Sequence, residues 1–159
     1  MSTNLIIVIT EDVALTRLLI SLVLGALIGL ERQLHKHSAG LRTFTLICMG
    51  STLAMLISIY ICQTNTNLLN GDPGRIAAQV LTGIGFIGAG LIIKNNDGIS
   101  GLTTAACIFI TAVIGLAIGV GMIKTGVICG LAVIVILTSS TYIHKIKSEN
   151  KNSETKGNS

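Results

Sequence analysis

The chain has 159 residues, of which 50% are hydrophobic and only 11% are charged. Soluble domains carry roughly 25% charged residues, so this composition excludes an ordinary water-soluble globular protein. Four runs without a charged residue, 43–71, 76–93, 98–123 and 125–143, each reach the roughly 18 residues that a helix needs to cross a bilayer. The net charge of +4 comes with neither a basic stripe nor many aromatic residues, which excludes a nucleic-acid-binding protein.

The apolar segments predict an all-α fold, a polytopic membrane helix bundle of about five transmembrane helices. The predicted helices cover 13–30, 43–62, 75–93, 101–119 and 125–143. Residues 1–143 are therefore the predicted transmembrane domain, and the polar segment 144–159 is predicted to be a disordered tail. The acidic N-terminus lacks the basic start of a cleaved signal peptide, so we expect the first helix to be retained.

The distribution of Lys and Arg predicts the orientation of the bundle. The segments after helices 1, 3 and 5 hold eight basic residues, whereas the opposite side holds only Arg75 and Lys124. Because basic residues accumulate in cytoplasmic loops, this bias places the N-terminus outside and the C-terminus in the cytoplasm. Arg17 lies one turn inside helix 1, and we expect its side chain to extend to the membrane interface.

The segment GLERQLHKHSAGLRTF places Glu31, Arg32, Arg42 and Thr43 where helices 1 and 2 meet the cytoplasm. One interpretation is a topology signal with charge pairing. The other is a metal site formed by Glu31, His35 and His37, which the lack of a fourth ligand disfavours. The four cysteines lie scattered in apolar stretches without a C-x-x-C pair, so we expect small apolar side chains rather than a zinc site or disulfides.

The entrance of helix 3 contains Asp72, Pro73 and Arg75, followed by Gln79. Asp72 is a good helix cap and Pro73 fits the first helical position. The alternative is that Asp72 and Arg75 bind a cation at the outer mouth, where Asp72 is a weak candidate metal ligand. Gln79 is expected to hydrogen-bond a neighbouring helix.

Helix 3 separates large from small residues around its axis. One arc holds large apolar residues, which we expect to face lipid: Ile76, Val80, Ile84, Ile87 and Leu91. The small residues Gly83, Gly85, Gly88 and Gly90 are expected to pack against neighbouring helices, which would make helix 3 a central element. The same small-x-x-x-small spacing occurs at Gly25/Gly29, Gly115/Gly119 and Gly126/Gly130.

Helix 4 carries Thr103, Thr104 and Thr111, which we expect to form hydrogen bonds between helices. No serine or cysteine stands beside a plausible base, so the sequence does not predict an enzyme.

Four ordered blocks resemble the MgtC/SapB family: GALIGLERQ (25–33), AGLRTFTL (39–46), DPGRIAAQVLTGIGFIGAGLIIK (72–94) and GLTTAACIFITAVIGLAIGVG (101–121). The resemblance implies an inner-membrane protein of about five helices, linked to growth under magnesium limitation and, in pathogens, to survival inside the host. Members were once labelled magnesium transporters. For the MgtC branch the resemblance implies restraint of the proton-translocating ATP synthase.

The resemblance also carries over a set of polar residues: Glu31, Arg32, Arg42, Thr43, Asp72, Arg75, Gln79, Thr103 and Thr104. In place of the soluble C-terminal domain of MgtC the sequence has a short polar tail, so the chain resembles the short SapB-type members.

Two functions stay open at this point. A membrane regulator would dock helix against helix on a membrane complex such as the ATP synthase. A magnesium or other divalent cation transporter would use Asp72, although one carboxylate is few for a divalent ion unless several copies assemble. No cofactor is predicted, and magnesium would act as a ligand or a signal. The expected partners are the lipid bilayer, a membrane protein and further copies of the chain.

Overall fold

The computed structural model describes residues 9–64, 72–96 and 98–156, and side chains as far as residue 139. Its elements are α1 (Glu11–Leu34), α2 (Leu41–Thr64), α3 (Gly74–Gly90), β1 (Ile93–Asn95), β2 (Gly98–Ser100), α4 (Leu102–Val120) and α5 (Ile123–Lys156). The prediction of an all-α bundle of five helices is confirmed.

Three of these helices, α1, α2 and α4, are long and apolar enough to cross a membrane. The apolar parts of the other two are shorter: α3 has 17 residues, and α5 is apolar over Ile123–Ser139. At 1.5 Å per residue each shorter stretch is about 25 Å long, slightly less than the hydrocarbon thickness of about 30 Å. The chain is a membrane protein.

The central packing element is α2, not α3 as the sequence suggested. Helices α1 and α4 pack along two sides of α2. Both approach closely because glycines replace side chains at the contacts. A Cβ atom on Gly25 would lie 2.8 Å from Cys48 Cβ, and one on Gly119 would lie 2.6 Å from Met55 Cβ.

The other paired glycines make the same kind of contact. A Cβ on Gly29 would lie 2.7 Å from Leu41 Cα, and one on Gly115 would lie 2.9 Å from Ser51 Cβ. On α5, a Cβ on Gly126 would lie 2.8 Å from Ile118, and one on Gly130 would lie 2.7 Å from Leu24. The prediction that these three spaced pairs are close-packing sites is confirmed.

The predicted orientation of α3 is wrong. Ile84 is only 9% exposed and belongs to the core, with Val80 and Leu91 packed against it. Gly88 does pack, since a Cβ there would lie 3.7 Å from Ala105 Cβ. For Gly83, Gly85 and Gly90 nothing of this chain lies within 4 Å, so their packing against a neighbouring helix stays a prediction.

A short antiparallel hairpin, missed by the sequence analysis, follows α3. It pairs Ile93 with Ser100 and Asn95 with Gly98. The hairpin ends α3 at Gly90 instead of residue 93. Its signal was the Asn96-Asp97-Gly98 sequence, which is typical of tight turns. Gly101 has φ +84°, and a Cβ there would overlap the Leu91 carbonyl oxygen, so glycine is required where the chain enters α4.

Helix α5 extends as a helical backbone to Lys156, beyond the predicted domain boundary at residue 143. The segment 144–156 contains neither glycine nor proline, so its composition permits a helix. The side chains of 140–159 lie outside the described part of the chain. The disorder of the tail and the boundary at 143 therefore stay predictions, as does the loop predicted at 63–74, whose residues 65–71 are not described.

Candidate functional site

Two adjacent charged residues, Glu31 and Arg32, lie buried at the C-terminal end of α1. Their exposed fractions are 8% and 3%, and Arg32 Nε lies 3.6 Å from Glu31 Oε2. This distance is an ion pair but is too long for a hydrogen bond. Burial of charges inside a membrane bundle is costly, which makes this pair the first candidate for a functional site.

The surroundings of the pair come from α4 and from the end of α1. The buried thiol of Cys107 on α4 lies near the Arg32 side chain. His35 Nδ1 lies 3.2 Å from Glu31 Oε1 and 2.9 Å from the Glu31 carbonyl oxygen, and the carbonyl is its hydrogen-bond partner. The site therefore joins two helices around one carboxylate and one guanidinium.

The Glu31 carboxylate has unused capacity for hydrogen bonds. Among the described residues, no donor is bonded to either of its oxygens, and Arg32 Nε also lacks an acceptor. A buried carboxylate with free acceptor positions can bind a water molecule.

His37 lies in the exposed connection between α1 and α2, and the charges of Arg32 and Glu31 affect its pKa. Burial lowers the pKa of His37 below its ordinary value of 6.5, and the nearby Arg32 charge lowers it further. Glu31 acts in the opposite direction. The side chain is therefore held toward its neutral form in the folded protein.

At the other end of the bundle Arg17 is also buried, at 5% exposure. Its Nη1 donates a hydrogen bond of 2.7 Å to the Gly119 carbonyl oxygen in the last turn of α4. The prediction that Arg17 extends to the membrane interface is wrong. The carbonyl groups at a helix C-terminus lack partners and carry partial negative charge, so they attract the guanidinium into the bundle.

Arg42 and Thr43 do not join the buried pair. Arg42 is exposed in the first turn of α2 and Thr43 is half-buried beside it. The start of α2 is instead held by Gln33, whose Oε1 accepts a 3.2 Å hydrogen bond from the Leu41 backbone N–H. Of the four candidate residues in this segment, the structure thus brings together only Glu31 and Arg32.

Asp72 lies just before Pro73, the N-cap residue of α3, and its side chain binds the first backbone N–H of the helix. Its Oδ1 accepts a 2.8 Å hydrogen bond from the Gly74 backbone N–H. Asp72, Arg75 and Gln79 are all exposed. Among the described residues no three histidine, cysteine, aspartate or glutamate side chains converge on one point, so neither Asp72 nor the Glu31, His35 and His37 set forms a metal-ligand cluster there.

The threonines of α4 behave differently from the prediction. Thr111 is buried, but its hydroxyl donates a 2.7 Å bond to Cys107 O within its own helix. Thr104 is buried, whereas Thr103 is exposed. A hydroxyl that does connect two helices belongs to Thr52 on α2, which donates a 2.8 Å bond to Gly115 O on α4. Sequence reasoning missed this residue, since a threonine in an apolar helix reveals no partner.

All four cysteines are free. Cys48 and Cys107 are buried as expected, whereas Cys62 is half-buried and Cys129 is exposed.

The chain matches the family model described as the MgtC family over residues 18–146. It is 47% identical over 123 residues to an Escherichia coli K12 protein named "Putative magnesium transporter YhiD", covering 76% of this chain and 57% of that protein. A Haemophilus influenzae protein is 40% identical over 135 residues, covering 82% of this chain and 56% of the relative. Salmonella typhimurium "Protein MgtC" is 40% identical over 128 residues, covering 80% of this chain and 51% of that protein.

The chain thus spans just over half the length of the curated relatives that it matches. No solved structure matches it. The matched region includes α2, α3, α4 and most of α1, and with them the buried Glu31 and Arg32 pair. The chain therefore belongs to the MgtC family.

Proposed function

We propose that this chain is a non-enzymatic regulator that docks on another membrane complex through the outer face of α3. We define this face by Ala78, Thr82, Gly85, Phe86 and Ala89, which point away from both α2 and α4 and are all exposed. Phe86 is 83% exposed, more than any other large apolar side chain in the described part of the chain.

The contrast of one large side chain among small ones carries this proposal. In a bilayer, helices associate through close packing and interhelical hydrogen bonds, because lipid tails are as apolar as the side chains. Nothing lies within 4 Å of a Cβ built on Gly85, so a second helix can approach the backbone there. Phe86 would then insert between side chains of that helix.

The partner we propose is the membrane sector of the proton-translocating ATP synthase, which the family resemblance implies. Magnesium limitation would be the condition under which the contact matters. Magnesium transport is the second candidate, suggested by the name of the Escherichia coli relative. The exposed, helix-capping position of Asp72 and the scattered metal-ligand residues of the described chain favour the regulator.

We further propose that the protein lies in the inner membrane with its N-terminus outside and its C-terminus in the cytoplasm. The basis is the eight-to-two division of basic residues between the two sides. A reporter fused after Lys147 should be cytoplasmic, and one inserted near Asn67 should be external. Two reporters on the same side would contradict this orientation.

The proposed function is tested by a photo-crosslinking residue at position 86 in cells grown with little magnesium. We expect a crosslink to a membrane subunit of the ATP synthase, and none from position 19, which is Leu19 on α1 and is 62% exposed. Gly85→Leu should abolish the crosslink and the effect of the protein on cellular ATP, with unchanged membrane abundance. Equal crosslinking from both positions would contradict the docking face.

A liposome experiment separates the second candidate. The regulator predicts no divalent cation flux through purified protein in liposomes. Magnesium flux that Asp72→Asn abolishes would overturn the proposed function in favour of transport, because Asn still caps a helix and removes only the charge.

A further inference from the structure

A groove between α2 and α3 opens on the membrane-facing surface of the bundle. Its volume is about 410 Å³, and its lining is apolar except for Ser51 and Gln79: Leu46, Ile47, Gly50, Ser51, Gln79, Val80, Gly83, Ile84 and Ile87. Nothing lies within 4 Å of a Cβ built on Gly50 of α2 or on Gly83 of α3, so no side chain fills the groove at these two positions.

The groove has the length and depth of a lipid chain in one leaflet. From Gln79 to Ile87 it follows α3 for about 12 Å, at 1.5 Å per residue. One leaflet contributes about half of the hydrocarbon thickness of about 30 Å. An acyl chain that enters from the membrane surface would therefore fill the groove without reaching the opposite leaflet.

One end of the groove is basic. The bond from Ser58 Oγ to Pro73 O joins the C-terminal half of α2 to the start of α3, so the two helices run antiparallel. Arg42 therefore lies at the end where α3 finishes. It is exposed and one turn before Leu46, on the same side of α2.

The segments at this end of α2 and α3, 35–47 and 87–96, carry the basic residues Lys36, Arg42 and Lys94. The N-terminal dipole of α2 adds positive potential at the same place. Positive charge at one end and an apolar groove below it match an anionic head group with an acyl chain attached.

We propose that this groove binds one anionic phospholipid, with its phosphate at Arg42 and an acyl chain between α2 and α3. Arg42 and Lys94 attract the head group, and Gly50 and Gly83 make room for the chain. The site is separate from the outer face of α3, because Gly83 lines the groove and Gly85 does not.

The test uses the full chain in detergent with added phosphatidylglycerol, read by native mass spectrometry and by the midpoint of thermal unfolding. We expect retained phosphatidylglycerol and a raised midpoint, and neither effect with phosphatidylcholine or with inorganic phosphate. Equal retention of phosphatidylcholine and phosphatidylglycerol would overturn the proposal.

Two matched pairs of variants locate the site. Arg42→Gln should weaken phosphatidylglycerol binding about fivefold, the factor that corresponds to about 1 kcal/mol per basic residue. Arg75→Gln, equally exposed at the other end of α3, should not. Gly83→Leu should prevent retention by filling the groove, whereas Gly85→Leu should not. Equal behaviour within either pair would contradict the site, and Gly50→Leu repeats the test from the other wall if Gly83→Leu fails to fold. Displacement of the lipid by a copurifying helix in the same groove would also overturn it.

Discussion

Two arginines of α1 are buried almost equally, yet they meet different surroundings at opposite ends of the bundle. Arg17 donates a 2.7 Å hydrogen bond to the Gly119 carbonyl, where α4 ends and its carbonyls lack partners. Arg32 lies 3.6 Å from Glu31 Oε2, and among the described residues neither Glu31 oxygen has a hydrogen-bond donor. A charge held by a helix carbonyl acts as a structural clamp, whereas a loosely paired carboxylate can still bind water.

The largest effect is expected at the Glu31 end. Arg32→Met leaves the buried Glu31 carboxylate without a counter-charge, which should cost about 3–5 kcal/mol of stability. The measurement is the thermal unfolding midpoint in detergent, together with membrane abundance. The double variant Arg32→Met, Glu31→Gln should recover part of the loss, because no lone charge remains. A double variant as unstable as Arg32→Met alone would show that the two side chains are not coupled.

A smaller effect is expected at the Arg17 end. Arg17→Met removes a charge-assisted hydrogen bond, so the free energy of unfolding should fall by about 1.5–3 kcal/mol. The free energy of unfolding of Arg17→Lys should lie between the values for the unchanged chain and for Arg17→Met, since lysine keeps the charge but not the planar donor geometry. Leu15→Met at an exposed position serves as the control. If Arg17→Met and Arg17→Lys both caused little loss of stability, the Arg17 side chain would instead lie at the membrane interface.

Gly121 lies beside the Arg17 side chain, so a substitution there tests how closely this end of the bundle is packed. It adopts φ +105°, and a Cβ there would lie 2.9 Å from Arg17 Nη2. Gly121→Ala should therefore destabilise the fold by about 1–2 kcal/mol from backbone strain. The added Cβ also crowds Arg17, which increases the loss of stability. In the double variant Gly121→Ala, Arg17→Met this crowding should disappear, whereas the backbone strain should remain. Gly90→Ala, where nothing lies within 4 Å, should cause no loss.

The smallest effect is a pH dependence at the Glu31 end. Burial and the Arg32 charge lower the pKa of His37 below 6.5, so the unfolded chain binds the proton more readily than the folded one. The contribution of His37 is therefore fully present above pH 6.5 and is lost as the pH falls below it. His37→Gln should flatten this part of the stability profile, measured by thermal unfolding across that window. An unchanged profile would show that His37 does not respond to Arg32.

The orientation of α3 shows why a helical pattern can be interpreted in the wrong direction. The division of large and small residues around its axis is real, but the sequence does not state which half meets the neighbours. Large residues face lipid only if the adjoining helices can accept small ones. Here Ile84 is buried in the core, and Gly83 and Gly85 remain open to the outside. The same pattern is therefore compatible with two opposite rotations, which the adjoining surfaces decide.

The sequence by itself determined the membrane class, the five helices and the glycine pairs at close contacts such as Gly25/Gly29, because hydropathy, length and small-residue spacing are local properties. It also placed Asp72 and Pro73 at the start of helix 3, which depends on residues next to each other in the chain. Only the tertiary structure decided that Arg17 reaches Gly119, 102 positions further along, and that Glu31 and Arg32 are enclosed against Cys107. These contacts depend on how α1 and α4 meet around α2, and a free helix carbonyl leaves no mark in the sequence that could identify its donor.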